Sequence, residues 1–269
     1  MRGLTEDSLI VGRRLSERGM EDATTQLADV VGKGAFRSVI VTSRQLHPAG
    51  AVWQGLQTIV ARPLTDDDVD PYVATYAPEA ERTQVRQRIT PLVAGRRDIS
   101  PLFLRFAIEQ AMSGEVTSTN TLDLVFQYVE ALRSGRVDLS ADDMLRAAAI
   151  AATEAVRESL APREFEQAYL RGVLVQEADR LAFMNASSTA PVEPARVIEL
   201  LIQCGLVNRN KINRRLQFAY DPVAEHLAAW RTAQQTAAGA VAPLQARILQ
   251  SPDTGIARAM AEIETALAV

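Results

Sequence analysis

Arg37-Ser38-Val39-Ile40-Val41-Thr42-Ser43-Arg44 is the stretch on which the fold reading turns. Val39, Ile40 and Val41 are consecutive β-branched residues, an apolar run of strand length. A run apolar on both faces suits a central parallel strand covered by helices. It ends in Thr42, Ser43 and Arg44, all able to donate hydrogen bonds. In open α/β sheets, ligands lie outside the carboxyl ends of the strands. Arg44 therefore stands where a phosphate could be met, and its planar guanidinium suits that task. On these eight residues alone the alternative is an arginine that closes a strand end at the surface.

Working outward, Ala23, Leu27, Val30 and Val31 recur at helical spacing, so an amphipathic helix is expected over 22–31, ended by Gly32 and Gly34. A polar helix is expected over 5–17. After the key strand comes a loop through His47, Pro48 and Gly50, then a second short strand over 57–61, closed by Pro63. Thr65 followed by Asp66, Asp67 and Asp68 reads as a helix start, because carboxylates in a first turn complement the helix dipole. Pro71 leaves two options. Either a short turn precedes it, or Asp70 is the N-cap and Pro71 the first helical residue. A helix is expected over 78–89. Ile99, Leu102, Phe103 and Phe106 mark the apolar face of another, ended by Ser113 and Gly114.

Beyond residue 119 the strand signal nearly vanishes. A helix is expected over 121–132. Ser140 with Asp143 resembles a capping box and opens an Ala-rich helix to about Glu158. Pro162 is expected to start a shorter helix. Val197, Leu200, Leu201 and Cys204 line one face of the next. Leu206-Val207, a polar turn and Leu216-Gln217-Phe218 then read as a hairpin. Asp221 and Pro222 open a helix that buries Val223, Leu227 and Trp230. Two Ala-rich segments follow, split by Ser251, Pro252 and Asp253.

The composition narrows the function classes. The 269 residues are 47% hydrophobic and 23% charged, an ordinary globular balance. The net charge of −4 gives no overall drive toward nucleic acid or an anionic membrane. A lone cysteine, Cys204, excludes an internal disulfide. With only His47 and His226 beside it, no metal site is expected. Cys204 reads as a core residue, and the two histidines as ordinary loop and helix-surface residues. No apolar run reaches spanning length and the N-terminus lacks a signal-peptide core, so the cytoplasm is the default location.

The order of these pieces resembles the NACHT-type NTPases of the STAND class, within the wider AAA+ group. Residues 39–44 (VIVTSR) look like the family's sensor 1 strand, which would make Arg44 the residue facing the terminal phosphate, with Thr42 and Ser43 beside it. Residues 100–104 (SPLFL) look like the proline motif that opens the small helical domain, and would give Pro101 an adenine contact. Residues 218–229 look like the winged-helix signature Phe-x-His…Glu-Tyr/Phe-Leu-x-Ala. Phe218 and Glu225 match it, while Tyr220 stands where the family's phosphate-approaching His would be. Gly3, Leu4 and Glu6 look like the tail of a Walker B motif, and Glu6 would polarise a water in an intact site. Arg2 occupies the place of the magnesium-binding Asp.

The chain contains no G-x-x-x-x-G-K-[ST], hence no phosphate cradle. The resemblance spans roughly 2–235. It implies the end of an NTPase α/β domain over 1–64, a small helical domain over 65–118, a winged helix over 119–236 and C-terminal helices over 237–269. The fold class expected is an α/β remnant of a P-loop NTPase sheet followed by helical and winged-helix parts, mostly α overall. The expected function is an incomplete signalling NTPase module, inactive alone, whose sequence begins just after the strand that should carry the metal ligand. ATP or GTP with Mg2+ would bind only when a P-loop portion is supplied. The partner expected is that upstream portion or another chain, and unpaired strand edges also invite self-association. Two alternatives stand beside this. One is a winged-helix transcriptional regulator, favoured by the basic hairpin of Arg209, Lys211, Arg214 and Arg215 but opposed by residues 194–204, which carry only Arg196. The other is a helical interaction scaffold without a ligand.

Overall fold

The chain divides into two compact units, Met1–Arg62 and Pro63–Val269. The computed structural model describes residues 64–94, 96, 99–114, 120–133, 139–177, 181, 192–210, 213–239 and 243–267, all in the second unit. The strands expected over 39–41 and 57–61, the helices expected before them, and Glu6, Thr42, Ser43 and Arg44 lie outside the described residues.

The second unit is mostly helical. It opens on a β-bridge between Leu64 and Ile99. Thr65 then caps a single 3-10 turn, Asp66–Asp68, with its backbone N–H donating to the Asp68 carboxylate at 2.8 Å. Helix α1, Val69–Tyr76, follows directly and takes Pro71 into its first turn, where a missing N–H costs nothing. Of the two options at Pro71, the short preceding turn is the one realised. A second 3-10 turn, Glu79–Glu81, leads into α2, Arg82–Val93. That helix therefore begins and ends about a turn later than the expected 78–89.

Pro101 is the first residue of α3, Pro101–Ser113, and Gly114 closes it at φ 81°, a conformation that favours glycine. Phe103, Leu104, Phe106, Ala107 and Ile108 are buried, which widens the apolar face expected from the periodicity. Helix α4 is Thr121–Arg133. In α5, Ala141–Ala155, the Ser140 hydroxyl accepts from the Asp143 N–H at 3.1 Å and donates to the Asp143 carboxylate at 2.7 Å. Small residues let α5 pack closely: Ala147, Ala148, Ala151 and Ala152 have no exposure.

The expected helix start at Pro162 is corrected. The chain is extended at Phe165, which exchanges two backbone hydrogen bonds with Leu216 (2.8 and 2.9 Å), and α6 begins only at Gln167, running Gln167–Gln176. Helix α7, Pro194–Gln203, precedes β1, Val207–Arg209, and β2, Leu216–Phe218. The two strands pair antiparallel, Val207 opposite Phe218. Leu206, Leu216 and Phe218 are buried, and the Phe218 ring lies 6.4 Å from that of Phe165. Cys204 is fully buried, its thiol donating to the Leu201 carbonyl.

Tyr220 is the N-cap of α8, Asp221–Ala237, with Asp221 and Pro222 as its first residues. This helix is apolar around much of its circumference (Val223, Ala224, Leu227, Ala228 and Ala229 are buried), so it lies inside the unit rather than on it. Helices α9, Pro243–Leu249, and α10, Gly255–Leu267, complete the unit, with α10 laid along α8. The Glu225 carboxylate occupies the space a Cβ on Gly255 would need. That places the carboxylate at the first turn of α10, where the helix dipole favours it. Among the described residues no helix is long and apolar enough to cross a membrane.

Candidate functional site

Two of the sequence-derived ligand residues, Pro101 and Tyr220, are described; each touches a different member of a run of aromatic side chains along α1, α3 and α4. Tyr72 and Tyr76 sit one turn apart on α1, their rings 5.0 Å apart. The Tyr72 hydroxyl donates to the Pro101 carbonyl at 3.2 Å, which fixes the start of α3 against α1. One turn along α3, the Arg105 guanidinium lies over the Tyr76 ring at 5.9 Å and pairs with Glu109 at 2.7 Å. The next residue, Phe106, stacks on Tyr128 of α4 at 4.2 Å and 10°. Tyr220 meets both rings edge-on, at 5.9 Å from Phe106 and 6.0 Å from Tyr128. Tyr76 and Tyr220 keep more than a third of their surface exposed.

Burial sets the protonation of two phenols on this surface. Burial, together with a hydrogen bond and repulsion from Tyr76, pushes the Tyr72 phenol up to about 12, against the pull of Arg105. Burial also raises Tyr128, with nearby Tyr220, Cys204 and Glu109 adding to it. Both phenols are therefore neutral near pH 7. The surface can stack a planar ring on tyrosine and offer one guanidinium to an anion. It holds no nucleophile–base pair of the kind that group transfer requires. Tyr72, Tyr76, Arg105 and Tyr128 were not singled out in the sequence. The tyrosines at i and i+4 on α1 were the available signal.

Elsewhere the described unit has little concavity. A cleft bordered by Glu154, Phe165, Tyr169 and Arg215 encloses about 10 Å³, the space of one water at most. A wider hollow of about 370 Å³ lies against Leu160, Arg247, Gln250, Ser251 and Thr254. Its guanidinium is committed to the carbonyls of Arg157 and Glu158. On the hairpin, Arg209 pairs with Glu199 at 2.5 Å. The Asn210 and Asn213 amides donate to Glu164 at 2.7 and 2.8 Å. Two carboxylates thus fold against the basic strand pair.

His226 corrects the sequence reading. It is buried rather than on a helix surface, its Nδ1 2.8 Å from the Pro222 carbonyl and its ring edge-on to Phe103 at 4.9 Å.

No protein-family model matches this sequence, and neither a curated protein nor a solved structure is significantly similar to it.

Proposed function

We propose that this chain is the helical and winged-helix part of a nucleotide-dependent signalling switch of the NACHT/STAND type. The observation that supports the reading is that α3 carries both Pro101, whose carbonyl accepts from Tyr72, and Phe106, against which Tyr220 packs, with Arg105 between them. The family resemblance gives Pro101 a contact with the base and puts Tyr220 where the family's phosphate-approaching His would be. Aromatic faces beside one guanidinium suit a planar base and its anionic tail. A second support is the order of elements from α5 to α8. Helix, extended Phe165, helix, helix, two-stranded hairpin and helix is the order of a winged helix. On this reading 65–118 is the small helical domain, 119–236 the winged helix and 237–269 the C-terminal helices.

The sequence holds no phosphate loop, so ATP or GTP with Mg2+ is held only when a P-loop-bearing portion is joined to it. That portion would supply the backbone cradle, and Arg44 would face the terminal phosphate with Thr42 and Ser43 at the same strand end. Glu6 would orient the attacking water. Opening and closing of the helical parts around nucleotide would then be the switch. The transcriptional-regulator reading is weaker, because Glu199 pairs with Arg209 of the hairpin and residues 194–204 carry only Arg196.

The test is a thermal melt of the chain with and without a P-loop-bearing NTPase segment, in the presence of MgATP or MgGTP. A ligand that binds only the folded state raises the melting point. The expected result is a shift only when the segment is present, reduced in Tyr220→Ala and Arg105→Ala. No shift with the segment, or one indifferent to both substitutions, would sink the reading.

A further inference from the structure

His226 is buried on α8, yet it faces an ionisable partner on another helix. Its Nδ1 is 2.8 Å from the Pro222 carbonyl, which can only accept, so Nδ1 carries the proton of the neutral ring. Nε2 is then left 3.4 Å from Oε2 of Glu262 on α10. With the ring neutral, two acceptors oppose each other across that gap. With the ring protonated, Nε2–H donates to a carboxylate, a charge-assisted hydrogen bond. From this geometry we propose that His226 and Glu262 form a proton-sensitive latch that holds α10 on α8. The proposal is independent of the nucleotide reading.

The surroundings fit that role. The His226 side chain is 7% exposed and Glu262 is about half-exposed, so protons reach the ring from the α10 side. Thr121, at the start of α4, donates to the Glu262 carboxylate, and Arg96 adds a positive charge near it. From α3 the ring meets the edge of Phe103. Glu225, the neighbouring charge on α8, has its carboxylate against Gly255 at the start of α10. Burial pushes Glu262 up, but the hydrogen bond and charge of His226, with Thr121 and Arg96, hold it below the usual range.

The sign follows from both partners. A depressed carboxylate contributes stability that is lost as pH falls through its folded value. The hydrogen bond from Nε2 to that carboxylate exists only while Nε2 carries a proton, so it is absent on the alkaline side. The latch is therefore closed in the window between those limits and loosens on the alkaline side.

The apolar side of α10 (Ile256, Ala259, Met260 and Ile263 are buried) supplies the rest of its hold. Loosening the latch thus weakens α10 without unfolding the unit.

Amide hydrogen exchange of the whole chain, from about pH 5 to about pH 8.5 and corrected for intrinsic rates, tests this. In the unaltered chain the protection of α10 should fall roughly three- to tenfold toward alkaline pH, the size of one half-exposed charged hydrogen bond. In His226→Gln, whose amide donates at any pH, that slope should vanish. In Glu262→Gln, a half-exposed substitution that leaves the core intact, the slope should be flat or inverted, because an amide can donate to the neutral ring. Equal slopes in the unaltered chain and in Glu262→Gln would overturn the proposal even if His226→Gln fails to fold.

Discussion

Replacing Phe218 by alanine tests the helix–hairpin–helix arrangement most directly. The ring is 2% exposed, faces Phe165 across the small sheet, and sits on the strand that packs against α5 and α8. A buried phenyl side chain removes roughly 150–250 Å² from water. At about 25 cal/mol/Å² that corresponds to ~4–6 kcal/mol. Alanine retains part of it and the cavity relaxes in part, so the expected loss is about 3–5 kcal/mol. For a unit of roughly two hundred residues, each kcal/mol moves the melting point by about 2–4 °C, giving a drop of roughly 6–20 °C. Urea titrations run beside thermal melts would read it, with Val175→Ala as the control. Val175 is 58% exposed on α6, and its truncation should stay within about 0.5 kcal/mol of the unaltered chain. If Phe218→Ala shifts the urea midpoint no more than Val175→Ala does, with the same slope, Phe218 does not pack as described. The arrangement of β2 on α5 and α8 would then fall with it.

Glu154, buried on α5, is raised by burial more than Arg157 and Arg231 lower it, so its charge is a net cost to the fold. A raised carboxyl destabilises as pH rises through its folded value. Glu154→Gln should therefore melt higher near pH 7, with the gap closing below about pH 4, where both states are protonated. A lower melting point at pH 7 would mean that the 3.5 Å pair with Arg157 outweighs burial. Cys204 should react with a thiol reagent only at the rate of unfolding, because its sulfur is fully enclosed. Fast labelling under native conditions would contradict that packing. The purified chain should show no ATP or GTP hydrolysis above background, since the sequence holds no phosphate loop. Steady turnover that disappears in Arg44→Ala would refute it.

Several elements were legible from local pattern because their causes are local. The Ser140–Asp143 cap, the Gly114 stop and the buried faces of α3 and α7 each depend on residues within a turn or two of one another. Helical spacing alone determines which side chains share a face. The hairpin was legible for the same reason, since its two strands are joined by a short polar turn. The misreadings have non-local causes. After Pro162 the chain stays extended because Phe165 finds its backbone partner in Leu216, and no neighbour of Phe165 announces that pairing.

His226 and Tyr220 draw the same boundary. A histidine beside Glu225 on an Ala-rich helix reads as surface until α10 covers it. Composition and periodicity determined that this is a mostly helical unit with a small antiparallel sheet. The family resemblance singled out Pro101 and Tyr220 one at a time. That Tyr220 lies against Phe106 and Tyr128, and that His226 faces Glu262, was decided only by how α3, α4, α8 and α10 pack. The spacing of residues along one helix fixes a face, whereas contact between faces depends on closing long stretches of chain, which no local pattern encodes.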